Sequence, residues 1–313
     1  MATSPQTLRS LLRDTIAKFR HSRLHYGHGT HNAGEEATWL FCHVLDLPWT
    51  RLPGVLDRNA SPAELGRLTL LAGRRLAERI PVAYLIHEAW LGEYRFYVDQ
   101  RTIIPRSFIA ELMHEGLAPW VRKPDRITDV LDMCTGSGCL AILAALTFGR
   151  AAVDAADISA PALAVAKRNV GDYSLQKRVR LLKSDFFVNT ALRKYDLIIS
   201  NPPYVNAASM RRLPAEYRHE PQIALASGTD GLEAARAILR DARRHLKPGG
   251  LLIVEIGHNR RAIEKAFPRL PFTWLEVSAG EDFVFLLERA QLPLEAASRA
   301  NGPGKHGKLS WGG

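Results

Sequence analysis

A short motif, Asn201-Pro202-Pro203-Tyr204, carries residue types that can hold a planar NH2 group. The asparagine side-chain oxygen and a neighbouring carbonyl are both acceptors, which suits a group that offers two N–H donors. The two prolines stiffen the turn, because neither has a free N–H and Pro202 biases Asn201 away from helical backbone angles. Tyr204 adds a flat face for stacking the same group. The motif predicts an amide or amine clamp, with a plain proline-stiffened turn as the alternative.

The clamp directly follows an apolar run, Asp196 to Ser200, which is typical of a buried strand bounded by turn residues. Open α/β sheets bind ligands in the crevice outside the carboxyl ends of their strands. The sequence therefore places the clamp where such a sheet would bind a ligand.

A second motif upstream has the order strand, glycine loop, helix. Residues 126–139 form an apolar strand that runs into the loop, and Leu140 to Phe148 carry a helical apolar pattern. Gly136 and Gly138 allow a sharp turn and a close backbone approach to a ligand, and the helix offers its unpaired N–H groups there. This order is typical of a nucleotide site.

Two carboxylates follow at the ends of further predicted strands. Asp157 ends the strand Ala151 to Ala156, at the position where doubly wound folds bind ribose hydroxyls. Asp185 follows the strand-like residues 178–183 and is placed to accept from an adenine amino group. The loop lacks the third glycine of the dinucleotide fingerprint, and no Gly-Lys-Ser/Thr follows it, so hydride and phosphoryl transfer are both disfavoured. Adenosine without a pyrophosphate remains.

With the clamp, this arrangement resembles the class I S-adenosyl-L-methionine methyltransferases, and Asn-Pro-Pro-Tyr resembles their branch that methylates planar nitrogens. The resemblance implies an α/β fold with a Rossmann-like, seven-stranded doubly wound domain. The strand-helix alternation of residues 107–290 agrees with it, including a strand from Leu251 to Glu255 after the Pro248-Gly249-Gly250 turn and a last strand from Asp282 to Leu287.

Smaller segments flank that domain. Residues 1–88 predict a helical substrate-recognition domain, in which Ser61 starts a helix with a capping box and a proline in the first turn. Residues 89–106 predict a β-hairpin connector, with residues 95–98 and 102–104 as short strands around 99–101. Residues 291–313 have the composition of a disordered tail.

Three segments narrow the resemblance to the HemK/Prm family of protein-glutamine N5-methyltransferases. They are Asp132 to Cys139, the clamp Asn201 to Tyr204, and His219 to Pro221 with Ala224 to Leu232. Within that family, Ile104-Pro105-Arg106-Ser107 with Ile109 to Leu112 resembles the PrmB branch, which acts on a glutamine of large-subunit ribosomal protein uL3. The release-factor branch carries an acidic Pro-Arg-Pro-x-Thr-Glu pattern there instead.

The family resemblance implies a role for each motif. The cofactor-binding residues would be Asp132, Cys134, Thr135, Gly136, Ser137, Gly138, Asp157, Asp185, Phe186 and Asn201. The substrate-binding residues would be Asn201, Pro202, Pro203 and Tyr204, of which Asn201, Pro202 and Tyr204 are the expected catalytic residues. The Asn201 side-chain oxygen and the Pro202 carbonyl would each accept one N–H of the target amide.

Composition sets the outer bounds. The net charge is +10 and the pI is about 9.7, and the excess is spread along the chain, which favours weak, salt-sensitive contact with ribosomal RNA or a large-subunit assembly precursor. No run approaches the roughly eighteen apolar residues of a membrane helix, and the first twenty residues lack a signal-peptide core. We therefore expect a soluble, cytoplasmic protein without a membrane partner.

No metal site is expected. Cys42, Cys134 and Cys139 lack metal-ligand spacing and predict reduced, structural thiols. His21, His25, His28 and His31 are closely spaced, but Gly27 and Gly29 break the helix that would align them, so a solvated or locally hydrogen-bonded loop is expected.

Other functions stay open at this point, and N5-glutamine methylation of peptide chain release factors is one of them. An N6-adenine or ribosomal-RNA methyltransferase can use a similar clamp on the amine of a flipped base, and the basic pI favours it. A cofactor-binding assembly factor without chemistry is the third candidate, and the intact motifs argue against it.

Overall fold

The computed structural model describes residues 6–190 and 193–293. Its helices are α1 Leu8–His21, α2 Ala33–Leu45, α3 Pro62–Glu78, α4 Val82–Ile86, α5 Ile109–His114, α6 Cys139–Thr147, α7 Ala160–Asp172, α8 Ala207–Met210, α9 Glu233–His245 and α10 Arg260–Ala266. Its strands are β1 Ala89–Leu91, β2 Tyr94–Phe96, β3 Asp129–Met133, β4 Ala152–Asp157, β5 Val179–Lys183, β6 Tyr195–Ser200, β7 Leu246–Glu255, β8 Thr273–Val277 and β9 Gly280–Glu288.

A seven-stranded sheet in the order β5-β4-β3-β6-β7-β9-β8 forms the centre of the larger domain. The strands from β5 to β7 are parallel, and β9 runs antiparallel between β7 and the edge strand β8. Chain order reverses between β3 and β6, so the loops after these two neighbouring strands face the crevice of a doubly wound sheet. The predicted fold class is confirmed.

The apolar strands are buried on both faces, as parallel strands usually are. In β6, Leu197 and Ile199 pack in the cluster that contains α6, whereas Ile198 packs in the cluster on the opposite face, which contains α9. Because side chains of a strand alternate between faces, one continuous apolar run serves both helix layers.

Two predicted strands differ in detail from the structure. The hairpin pairs Ala89–Leu91 with Tyr94–Phe96, so the strand predicted at 95–98 overlaps β2 only in its first two residues, and residues 102–104 do not form a strand. Gly92, at a φ of 61°, provides the tight turn that this pairing requires, whereas residues 99–102 form a separate turn in which the Thr102 N–H donates to the Asp99 carbonyl at 3.1 Å.

The other difference is at β7, which begins at Leu246 rather than Leu251 and shows a register shift opposite Tyr195 and Leu197. The Pro-Gly-Gly segment is therefore an irregularity inside this strand rather than a turn before it. The edge strand β8 was not expected from periodicity.

The helical domain comprises α1 to α4, and α3 begins with the predicted capping box of Ser61 and Glu64. The exact domain bounds stay a prediction.

Residues 294–313 of the predicted tail lie outside the described residues, and Arg289–Gln291 form a short 3-10 helix. In the two ranges that the structure covers, no helix is both long and apolar enough to span a bilayer.

Arg75 of α3 is fully buried and joins the two domains. Its guanidinium donates to Glu36 of α2 at 2.9 Å, to Glu216 of the larger domain at 3.2 Å and to the His25 carbonyl at 3.0 Å. Glu216 also accepts from the His25 N–H at 3.0 Å. A buried charge network of this kind stabilises only while every partner is present.

We expect Arg75→Ala to destabilise the protein by about 3–5 kcal/mol, because it leaves the buried Glu36 without its cation and leaves Glu216 with only the more distant Arg79, at 3.4 Å. Urea denaturation gives the free energy of unfolding. The neighbour Arg74 pairs only with the solvent-exposed Glu78, so Arg74→Ala is the matched control and should change stability little. Equal effects of the two substitutions would contradict the proposed importance of this network.

Candidate active site

The ends of β3 and β6 bring the two sequence motifs together. Met133 and Ser200, the last residues of these strands, are paired in register, and the Ser200 hydroxyl donates to the Met133 carbonyl at 2.7 Å. The glycine loop that starts at Cys134 and the clamp that starts at Asn201 therefore leave the sheet side by side.

The glycine loop is held to β4 through Asp157. One carboxylate oxygen accepts from the Gly136 N–H and the other from the Ser159 N–H, each at 2.8 Å. Burial raises the pKa of Asp157, and these two N–H groups oppose that effect. Asp157 thus joins the loops after β3 and β4. Its side chain also lines a cleft at this edge of the sheet.

Gly138 permits close packing below the loop. It adopts a φ of 81°, and a Cβ there would lie 3.1 Å from the Ala166 Cβ of α7. Cys134 also has a positive φ, 61°, and burial raises the pKa of its thiol, so this cysteine is not an activated nucleophile.

Three of the predicted cofactor residues lie beneath the cleft rather than on its wall. Asp132 is fully buried and accepts from the Thr135 hydroxyl at 2.5 Å, and burial raises the pKa of Asp132 to about 7. The Ser137 carbonyl accepts from the Asn169 side chain of α7 at 2.9 Å. These residues support the loop, and the Gly138 backbone does so with them.

The remaining predicted cofactor residues line one cleft. They are Cys134, Gly136, Asp157, Asp185, Phe186 and Asn201, together with Pro203 of the clamp. Arg101 and Thr102 of the connector also line it, and among the described residues Arg101 is the only lysine or arginine that does so. The sequence analysis did not anticipate a contribution of the connector to this cleft.

A second cleft lies on the other side of the clamp. Asn201, Pro202 and Tyr204 line it together with Tyr217 and His258. Asn201 therefore contributes to both clefts.

Two glycines and an asparagine fix Tyr204. A Cβ on Gly257 would lie 2.7 Å from the Tyr204 ring, and a Cβ on Gly231 would lie 2.5 Å from its carbonyl oxygen. That same carbonyl accepts from the Asn259 side chain at 2.7 Å. Only glycine fits this closely at either position, so the ring of the clamp is held rigidly.

The segment Ala224 to Leu232, which the sequence marked only by resemblance, supports the clamp from below. The Val205 N–H donates to the Leu225 carbonyl at 2.8 Å, and the Ser227 N–H donates to the Val205 carbonyl at 2.9 Å. Val205 and Ala226 thus form a short parallel bridge. The bridge fixes the backbone beyond the end of β6 and past the two prolines.

Arg106 and Glu220 form a bidentate ion pair, at 2.5 and 2.7 Å. The pair joins the hairpin connector to the segment that precedes Ala226 of the parallel bridge. Glu220 also accepts from the Ile104 N–H at 3.0 Å. The pairing with Arg106 helps to hold the pKa of Glu220 below its usual range although burial opposes it. The pair positions the wall of the second cleft, which Arg106 also lines.

His28 contradicts the expectation of a solvated histidine loop. Its side chain is buried against the Tyr217 ring, with the ring centroids 4.5 Å apart. Burial lowers the pKa of His28 to about 4, so it is neutral at pH 7. The interface of the two domains, which no local pattern shows, buries this residue.

Glu255, at the end of β7, is a further residue that sequence reasoning missed. It is buried and accepts from the Ser107 hydroxyl at 2.6 Å and from the Phe108 N–H at 2.9 Å. Burial raises the pKa of Glu255 to about 7. A carboxyl that ends a parallel strand is the signal that could have marked it.

The doubly wound fold with these adjoining clefts defines a class I S-adenosyl-L-methionine-dependent methyltransferase. In agreement, the family model "Methyltransferase small domain" matches residues 116–216, and the model "PrmC N-terminal domain" matches residues 22–86.

Three similar proteins bear the same name, ribosomal protein uL3 glutamine methyltransferase. The protein of Neisseria meningitidis serogroup B is 52% identical over 91% of this chain and 94% of its own length. That of Burkholderia pseudomallei is 48% identical over 95% and 100%, and that of Bradyrhizobium diazoefficiens is 44% identical over 91% and 92%. The chain belongs to the family of ribosomal protein uL3 glutamine methyltransferases.

Glu255 predicts a pH-dependent difference in stability. Its pKa of about 7 lies above the unfolded value of about 4.5, so the folded state binds the proton more tightly, and stability is lost as pH rises between these values. The Glu255→Gln variant has no carboxyl group at this position, so it does not show this loss of stability. Its unfolding free energy should rise relative to the parent by about 1–3 kcal/mol between pH 5 and pH 8, measured by urea denaturation. Asp132 titrates in both proteins, so its effect cancels, and a difference that is constant with pH would contradict the expectation.

Proposed function

We propose that this protein transfers a methyl group from S-adenosyl-L-methionine to the side-chain amide nitrogen, N5, of a glutamine in ribosomal protein uL3. The observation that carries the proposal is the position of Asn201 between two clefts, one suited to the cofactor and one to an amide. The family relation supports the acceptor. Action on a ribosomal protein also supports a cytoplasmic location.

The cleft that Asp157 and Asp185 line fits the cofactor by its chemistry. Gly136 has nothing within 4 Å of a Cβ position, which leaves room beside its backbone for a ligand. Asp157 would bind the ribose, and Asp185 with Phe186 would bind the adenine. When bound, S-adenosyl-L-methionine supplies an electrophilic methyl group on a sulfonium.

The clamp would act by orienting the amide nitrogen. The Asn201 side-chain oxygen and the Pro202 carbonyl would each accept one N–H, which would turn the nitrogen toward the cleft that Asp157 lines. An amide nitrogen is a poor nucleophile because its lone pair is delocalised, so orientation and exclusion of water must supply the rate. Transfer would break the methyl–sulfur bond of the cofactor as the N–C bond forms, and S-adenosylhomocysteine would be the leaving group. The methylated nitrogen would then carry positive charge and release its proton to water, so the chain needs no strong base. Tyr204, fixed under Gly257, would hold the amide plane.

We expect Asn201→Ala to reduce methyl transfer by more than about 100-fold, because the amide loses the group that aligns it. Affinity for S-adenosylhomocysteine, measured by calorimetry, should change only a few-fold. The matched control is Asn206→Ala: Asn206 caps α8 through the Ser209 N–H and lines neither cleft, so this variant should retain transfer. Near-normal turnover of Asn201→Ala would exclude the clamp assignment.

The acceptor is tested with radiolabelled S-adenosyl-L-methionine and ribosomes, ribosomal proteins and release factors from a strain that lacks this enzyme. Label on uL3 that disappears with Asn201→Ala is the expected result. Label on a release factor would move the protein to the neighbouring branch, and label on RNA would favour an adenine methyltransferase.

Arg101 should bind the carboxylate of the cofactor's amino-acid part, since it is the only lysine or arginine among the described residues that line the cleft. The Asp99 carboxylate holds its guanidinium at 2.6 Å and thereby limits its motion. Its side chain is 45% exposed, so solvent screening makes the contribution modest.

We expect Arg101→Ala to weaken S-adenosylhomocysteine binding by about ten-fold, the equivalent of about 1.4 kcal/mol, as measured by calorimetry. Binding of 5′-methylthioadenosine, which has no carboxylate, should stay unchanged. Arg168→Ala is the control, because Arg168 lies over the nearby Tyr97 ring and does not line the cleft. Equal losses for both ligands would refute the assignment.

A further inference from the structure

The clamp opens onto a long surface groove between the two domains. This access groove runs from Glu93 in the β1–β2 turn, past Phe108 and Glu111, to Tyr204 and Tyr217 at the clamp. Its volume of about 1390 Å³ exceeds the roughly 300–1,000 Å³ typical of small-molecule sites. A groove of this size fits an extended polymer segment rather than a lone glutamine side chain.

The charge of the access groove is opposite to that of the chain. Glu93, Glu111 and Glu115 line it with exposed carboxylates, and the buried Glu255 lines it as well, whereas Arg106 is its only lysine or arginine among the described residues. Three histidines, His31, His114 and His258, also line it. Glu220 already neutralises Arg106 through the bidentate pair. In a protein of net charge +10, the route to the clamp is thus an acidic surface.

The helical domain also contributes a residue to the wall of the access groove. Thr30, from the loop of the helical domain, is 6% exposed, and its hydroxyl has no hydrogen-bond partner within residues 6–190 and 193–293. An unpaired buried hydroxyl costs free energy. Thr30 thus places the helical domain, as well as the larger domain, in the wall of the access groove.

We propose that the access groove binds an extended, lysine- or arginine-rich segment of the acceptor protein next to the target glutamine. The inference rests on the proposed function and adds the chemistry of the acceptor around the methylated residue. A protein that binds ribosomal RNA must present cations to phosphates, and the same cations complement these carboxylates. An RNA strand is disfavoured as an occupant, because its phosphates would face them.

The test measures binding rather than turnover. Fluorescence anisotropy compares two labelled peptides, each with a central glutamine flanked by either lysines or glutamates, on the full-length protein saturated with S-adenosylhomocysteine. We expect the lysine peptide to bind more tightly, with an affinity that falls as salt rises. The variant Glu93→Gln/Glu115→Gln should weaken this binding by about three- to ten-fold and reduce its salt dependence.

The matched control is Asp14→Asn/Asp172→Asn, which removes two carboxylates that do not line the access groove and should leave peptide binding unchanged. Equal affinity for the two peptides, an unchanged Glu93→Gln/Glu115→Gln variant, or displacement of the peptide by single-stranded RNA would each overturn the inference.

Failure of the inference can be told apart from failure of the proposed function. If uL3 takes up label while the two peptides bind equally, only the groove assignment is wrong. If the lysine peptide binds selectively while uL3 takes up no label, the acceptor assignment is wrong and the basic specificity of the access groove remains.

Discussion

The neighbouring carboxyl ends of β3 and β6 are the constraint on which the site depends. Because chain order reverses between these strands, the loops that follow them line one crevice. The Ser200 hydroxyl and the Met133 carbonyl lock the two ends together at 2.7 Å. A shift of either strand by one residue would turn its side chains to the other face and separate the glycine loop from the clamp.

Around this centre, buried ion pairs determine how the helical domain meets the sheet. Arg75 connects α2 and α3 to Glu216, and Arg106 connects the connector to Glu220. Both carboxylates lie in one short segment after the clamp. The helical domain, the connector and the clamp are therefore mechanically coupled, and the desolvation of these charges is offset only in the assembled arrangement.

The chain as a whole and the groove that leads to the site carry opposite charge. A diffuse positive charge favours approach to the anionic environment of a ribosome, while carboxylates line the route to Tyr204. We infer that attraction to the ribosomal environment and recognition of the acceptor segment use different parts of the molecule. The total charge alone would have favoured a nucleic-acid substrate.

The sequence by itself determined the parallel sheet, the glycine loop and the clamp, because each depends on a local pattern: apolar runs, glycine spacing and two prolines. Asp157 and Asp185 were also predictable, since strand ends are visible in one dimension. Only the tertiary structure decided that Asp132 and Thr135 support the loop from beneath, that His28 is buried, and that Arg101 lines the same cleft as Asp157 and Asp185. These features depend on contacts between segments far apart in the chain, and burial and charge pairing across a domain interface leave no periodic signal in the sequence.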